Sequence, residues 1–70
     1  MMMTIDQIRD DLPNVRVRMP NGRITVGYLS GRFRSFAHVI VDTGNGWESA
    51  GEWSWQTVTD AVNADRPLTA

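Results

Sequence analysis

The chain has 70 residues, one histidine, no cysteine and a net charge of −1. This length gives a single small domain, and the lack of cysteine excludes a disulfide framework and thiolate chemistry. The sequence has no apolar run near the roughly 20 residues that cross a bilayer and no signal-peptide pattern, so we expect a cytoplasmic protein without membrane contact.

A short helix is predicted at the beginning of the chain. Thr4 and Gln7 have the spacing of a capping box, in which each side chain bonds to the main chain of the other residue. Ile5, Ile8 and Leu12 recur at intervals of three and four residues. They form a narrow apolar stripe that must pack on the rest of the fold. The proline after Leu12 ends the helix.

Residues 15–29 predict a β-hairpin, around which we expect the rest of the sheet to form. Asn21-Gly22 supplies the residue types that tolerate positive φ in a tight turn. On both sides of this turn the side chains alternate with a period of two, as in half-buried strands. Before the turn, the apolar set alternates with arginines: Val15, Val17 and Met19 with Arg16 and Arg18. After the turn, two sets of side chains alternate between the faces of the strand: Ile24, Val26 and Tyr28 on one face, and Thr25, Gly27 and Leu29 on the other.

Two more strands are predicted after a polar connection over residues 30–35. The third, residues 36–41, is apolar on both faces, which is typical of a central strand covered on both sides. The fourth, residues 47–53, contains Gly51, a residue that often marks a bulge.

A closing helix is predicted after Ser54, which is a good N-cap. Its apolar stripe is Trp55, Val58, Ala61 and Val62, and its water-facing residues are Gln56, Thr57, Thr59, Asp60 and Asn63. The last three residues are expected to fray. The predicted fold is mainly β with two short helices: a small SH3-like, partly open antiparallel barrel of four or five strands with an N-terminal and a C-terminal helix.

The charges are unevenly distributed along the chain. Residues 12–41 contain five arginines and no acid, whereas residues 42–65 contain five acids and no base. The arginines are Arg16, Arg18, Arg23, Arg32 and Arg34. They either form a patch that binds phosphates or lie on a solvated face and pair with Asp42, Glu48 or Glu52 across the sheet.

The aromatic residues allow two interpretations. A small core needs the area of all three tryptophans, which favours their burial. Alternatively, Trp53 and Trp55 face different ways about Ser54, and one is exposed as an interface anchor or a stacking surface for bases. His38 is interpreted as a core histidine, because the spacing places no serine or carboxylate beside it to build a catalytic triad.

Two segments resemble known families. Residues 21–29 and 38–42 resemble the Sm-like family, with its glycine turn and Gly-x-Leu after an N-terminal helix. The family's RNA-binding Asp and Asn would fall near Arg34 and His38, so the resemblance implies a barrel and not an RNA-binding ring. Residues 52–68 resemble the endings of short uncharacterised proteins of actinobacteria and their phages. That resemblance implies an accessory protein that binds a larger partner.

Three functional hypotheses follow. The first is a non-catalytic module that binds a protein partner through the residues Arg16, Arg18, Arg32, Phe33, Arg34 and Trp53. The second is a nucleic-acid binder that uses the arginines with an aromatic stacking surface. The third is a structural component of a particle or homo-oligomer. We expect no catalytic site, metal or cofactor, because no nucleophile with a base, carboxylate pair or metal-ligand set can be assembled.

Overall fold

The computed structural model describes residues 2–70. Its elements are helix α1 (Ile5–Asp11), strands β1 (Asn14–Arg18), β2 (Ile24–Arg32), β3 (Phe36–Asp42) and β4 (Trp47–Ser54), helix α2 (Trp55–Asn63) and strand β5 (Leu68–Thr69). The strands form one curled sheet in the order β4-β3-β2-β1-β5, antiparallel except for the β1–β5 pair. The predicted fold class, a small partly open barrel with two terminal helices, is confirmed.

Local signals fix the beginning of both helices. The Thr4 hydroxyl accepts the Gln7 N–H at 3.2 Å, and the Gln7 side chain accepts the Thr4 N–H at 2.9 Å. The Ser54 hydroxyl accepts the Thr57 N–H at 3.2 Å. Both predicted caps are therefore confirmed, and each satisfies amides that a helix leaves unpaired in its first turn.

The helix α2 departs from its predicted polar face at two positions. Thr59 is buried, because its hydroxyl donates to the Trp55 carbonyl at 2.7 Å and so needs no water. Asn63 is partly buried and holds the chain before α1 with two bonds. It accepts the Met3 N–H at 2.8 Å and donates to the Met3 carbonyl at 2.9 Å. The prediction that these two residues face water was wrong.

The core lies between the inner face of the sheet and the helices. Its strand residues include Val15, Val17, Leu29, Val39 and Val41. Gly27 lies among them, and a Cβ there would be 2.6 Å from the side chains of both Val17 and Val39. Only glycine fits at this position, so the core packs directly on the main chain of β2.

The strands extend further than predicted at two places. β2 continues through Arg32, into the segment expected to be a connection, with a bulge between Leu29 and Gly31. Leu68 is buried and forms β5 beside Val17, and the Ala70 N–H donates to the Arg18 carbonyl at 2.9 Å. The expected fraying of residues 68–70 was therefore wrong. Two residues carry no strand signal by themselves, and the edge of β1 supplies their partner.

The predicted hairpin is confirmed, but β3 is covered on only one face. β1 pairs with β2 from Asn14–Tyr28 to Arg18–Ile24, with Gly22 at φ +88° in the turn. On β3, Ala37, Val39 and Val41 are buried, whereas the opposite side chains stay partly exposed. The expectation of cover on both faces was wrong, since buried residues of both helices join the core on the inner face.

Candidate functional site

The register of the sheet decides which side chains of β2 face solvent. Arg16 lies opposite Val26, and Arg18 lies opposite Ile24, so the apolar row of β2 shares its face with the arginines of β1. We call this solvent-facing side of β1 to β4 the outer face. At its centre is an apolar cluster of five side chains: Ile24, Val26, Tyr28, Ile40 and Trp47.

Exposed apolar area is concentrated on the outer face. Within residues 2–70, seven large hydrophobic side chains are exposed, and five of them lie here: Ile24, Val26, Tyr28, Phe33 and Trp47. The other two, Met2 and Ile5, lie at the beginning of the chain. Tyr28 and Trp47 touch edge to face with ring centroids 5.5 Å apart, so these two rings form one continuous surface.

The two phenylalanines extend the outer face beyond His38. The Phe33 and Phe36 rings stack with centroids 4.7 Å apart. The Phe33 ring also lies over Gly31, where a Cβ would be 2.6 Å from it. The Phe33 carbonyl accepts the Trp55 indole N–H at 2.7 Å, and this bond fixes the main chain that carries the exposed ring.

The three tryptophans have three different environments. Trp55 is buried in the core, and Trp53 is partly buried, with its ring over Gly51. Trp47 is 60% exposed, so the expectation that all three are buried was wrong. Trp53 is one of the six residues predicted to bind a partner, and its ring packs against the core. Trp47 was missed because only its register opposite Asp42 places it on the outer face.

The predicted arginine set is divided between the two ends of β2. Arg16 forms an ion pair with Asp65 at 3.0 Å, and Arg18 donates to the Gly22 carbonyl at 3.1 Å. Arg18 lies opposite Ile24 at the beginning of β2, and Arg32 lies eight residues further along that strand. Eight residues span about 26 Å of strand. The arginines therefore do not form one phosphate-sized patch.

Arg32 bonds within the fold. Its guanidinium donates to the Arg9 carbonyl at 2.7 Å and to the Ile8 carbonyl at 3.4 Å, and it also contacts the Leu12 carbonyl. These carbonyls lie at the end of α1, where a positive charge is favoured, and the Ile8 carbonyl also accepts the Leu12 N–H. Arg34 lies nearby in the β2–β3 turn and is exposed. Both arginines are predicted to bind a partner. In the structure Arg32 caps α1, whereas Arg34 is exposed.

The predicted ion pairs across the sheet are absent. Within residues 2–70, Asp42, Glu48 and Glu52 form no ion pair with an arginine. The sheet order gives the reason, because β2 separates the arginines of β1 from Asp42 on β3, and β2 and β3 separate them from the acids of β4. The outer face therefore carries Asp42 and Glu52 on β3 and β4 and Arg18 on β1, while Arg16 is paired with Asp65.

His38 lies between two serines on the outer face. Its Nε2 is 3.0 Å from the Ser49 hydroxyl, and its Nδ1 is 3.5 Å from the Ser30 hydroxyl. The first distance is that of a nucleophile and its base. However, the Ser30 hydroxyl and not a carboxylate faces Nδ1, and the Gly51 N–H donates to the Ser49 hydroxyl at 3.3 Å. Ser30, His38 and Ser49 form a polar strip between the phenylalanines and the apolar cluster.

A cleft lies beside the β1–β2 and β3–β4 turns. Its volume is about 700 Å³, and its lining includes Met19, Arg23, Thr25, Asp42 and Glu48. Among residues 2–70, no three histidine or acidic side chains come together to hold a metal ion. In the same range, no helix has the length and apolar character needed to span a bilayer.

No protein-family model, curated protein or solved structure matches this chain. The resemblances to the Sm-like family and to short actinobacterial and phage proteins therefore stay predictions.

Proposed function

We propose that this chain is a non-catalytic binding module that engages a protein partner through the outer face. The observation that carries the proposal is the apolar cluster, which no element of residues 2–70 covers. A sheet face in contact with water is normally polar. A contiguous apolar patch with a polar rim is typical of a protein interaction site.

The composition of the outer face favours a protein over a nucleic acid. Tyrosine, tryptophan and arginine are enriched among residues that dominate binding energy, and Tyr28, Trp47 and Arg18 lie on the same face. A nucleic-acid site needs a continuous basic track. Here Arg32 caps a helix and Arg16 pairs with Asp65, so fewer cations remain for phosphates.

The free edge of β4 is a less suitable docking site than the outer face. The β4 register shifts beside Ala50, and Gly51 has a φ of +110°. Bulges and charges at an edge hinder the addition of another strand. Glu48 and Glu52 on this strand are exposed. The partner therefore packs on the face, with Phe33, Arg16 and Arg18 at its borders.

The proposed role is that of an accessory protein in the cytoplasm of an actinobacterium, encoded by the cell or by a phage. The resemblance of residues 52–68 to short proteins of that origin supports this part of the proposal. A small module with one apolar face and no cleft chemistry of its own modulates a partner by covering part of that partner's surface.

The test is capture from a lysate of the source organism by the immobilised protein, with washes at low and at high salt. Wild type and Met2→Ala are expected to retain the same protein through the high-salt wash. Met2 is the matched control because it is apolar, 77% exposed and off the outer face. Trp47→Ala is expected to reduce that retention about tenfold, as loss of an interface anchor does.

Two results would contradict the proposal. Equal retention by Trp47→Ala and wild type would exclude the apolar cluster as the binding site. Retention of nucleic acid alone, lost at high salt, would favour the nucleic-acid hypothesis, because phosphate contacts weaken steeply with salt.

A further inference from the structure

We infer that the partner of the outer face is a second copy of this chain, packed face to face about a two-fold axis parallel to the strands. The inference rests on the proposed function, because it names the partner of the same face. It is carried by the arrangement of charges around the apolar cluster.

The outer face has opposite charges on opposite flanks. Arg16 and Arg18 lie on β1, and Asp42 lies on β3. Arg16 already pairs with Asp65, and Glu52 lies opposite His38 at a different level of the sheet, so Arg18 and Asp42 are the complementary charges left near this row. A surface of this kind is complementary to itself when a two-fold axis superimposes one flank on the other.

One row of residues crosses all four strands at the same level. Arg16 pairs with Val26, and Asp42 pairs with Trp47. Gly27 pairs with Val41, so Val26 and Asp42 are neighbours and the row is continuous. An axis parallel to the strands, between β2 and β3, keeps this row level and places β1 of one copy over β4 of the other.

In this arrangement Arg16 of one copy faces Trp47 of the other, and Asp42 lies one strand nearer the axis, beside this contact. Guanidinium groups bind carboxylates and stack on indole rings. A two-fold axis perpendicular to the strands would instead place β1 over β1, with arginines against arginines. The charges therefore select one orientation.

The same two-fold rotation also places the apolar centre of the outer face of one copy against that of the other. Tyr28 on β2 lies opposite Ile40 on β3, so the two residues are on either side of the axis. The strands β1 to β4 have 5, 9, 7 and 8 residues, and at about 3.3 Å per residue and 4.8 Å between strands they present roughly 460 Å² per copy. The total of about 900 Å² is just below the roughly 1,000 Å² of a specific interface. The dimer is accordingly weak, and it dissociates on dilution.

Sedimentation equilibrium from micromolar to millimolar concentration tests the inference. For wild type and for the Met2→Ala control, the mass is expected to rise from one chain to two. Trp47→Ala is expected to remain one chain over the same range. A wild type that stays monomeric, or a dimer unaffected by Trp47→Ala, would overturn the inference.

A charge exchange tests the orientation and guards against variants that merely fail to fold. Arg18→Glu and Asp42→Lys are each expected to be monomeric alone, because each homodimer would bring like charges together twice. Mixed in equal amounts, they are expected to form a heterodimer, in which both charge pairs are again opposite. A mixture that remains monomeric beside a wild-type dimer would overturn the proposed axis.

The results of sedimentation and of lysate capture together distinguish this inference from the proposed function. A monomeric wild type that captures another protein from lysate in a Trp47-dependent manner refutes the second copy and leaves the binding module standing. Failure of both self-association and capture refutes both.

Discussion

The Arg32 guanidinium lies 2.7 Å from the main-chain oxygen of Arg9, so a side chain at the end of β2 closes the last turn of α1. Arg32→Ala is expected to lower the free energy of unfolding by about 1–2 kcal/mol, since it removes charge-assisted bonds to helix carbonyls. Urea denaturation measures this change. Arg34→Ala is the matched control, and it should change stability by less than about 0.5 kcal/mol. Equal effects of the two substitutions would show that Arg32 does not cap α1.

Gly27→Ala is expected to destabilise the fold by about 1–3 kcal/mol through overpacking. The added Cβ would lie 2.6 Å from side-chain atoms of Val17 and Val39, both fully buried. Combining it with Val39→Ala should recover part of the loss relative to the sum of the two single changes, because the two residues share the same space. Thermal denaturation of the four proteins measures this coupling. Strict additivity would contradict the close contact.

Trp55→Phe is expected to cost about 1–3 kcal/mol. The substitution keeps an aromatic ring in the core but removes the indole N–H that donates to the Phe33 carbonyl at 2.7 Å. The Phe33 carbonyl is partly buried, and leaving it without its donor is destabilising. Trp47→Phe serves as the control at an exposed site, and its expected effect is within about 0.5 kcal/mol. Urea titrations followed by circular dichroism compare both variants with wild type.

Asn63→Ala is expected to destabilise the protein by about 1–2 kcal/mol and to loosen the chain before α1. Its amide forms both a donor and an acceptor bond with Met3, at 2.9 Å and 2.8 Å. Each such bond contributes on the order of 1 kcal/mol. Hydrogen exchange at the Met3 amide should accelerate more than exchange in β3. Asn45→Ala, in the exposed β3–β4 turn, is the control. Unchanged hydrogen exchange at Met3 in Asn63→Ala would contradict the role of Asn63 in holding this segment.

The parts of the fold that depend on adjacent residues could be predicted from the sequence. Thr4 and Gln7 are three residues apart, and the bonds between them need no other element. The Asn21-Gly22 turn joins strands that pair immediately on either side of it. Such features need only local geometry, so a capping or turn pattern is sufficient to find them.

The outer face could not be predicted, because both sides of β2 carry apolar residues. Ile24, Val26 and Tyr28 are larger than the side chains between them, so size alone suggests that they are buried. Their orientation is instead decided by Gly27, whose missing Cβ lets Val17 and Val39 approach the strand. This is a contact among three strands, and no single segment of the sequence contains it.

The role of Arg32 could not be predicted from the sequence for the same reason. It bonds carbonyls of residues 20 to 24 positions earlier in the chain, and an arginine gives no sequence signal that separates a cap from a binding residue. The exposure of Trp47 likewise depends on its register opposite Asp42.

The pairing of Val17 with Leu68 has a consequence for the association of unfolded ends. The outer edge of β1 has no partner until Leu68 docks on it, although β1 already pairs with β2 on its other side. An unpaired edge of this kind recruits strands from other chains. Detachment of residues 68–69 alone is therefore expected to be the local unfolding step that makes this protein most prone to aggregate.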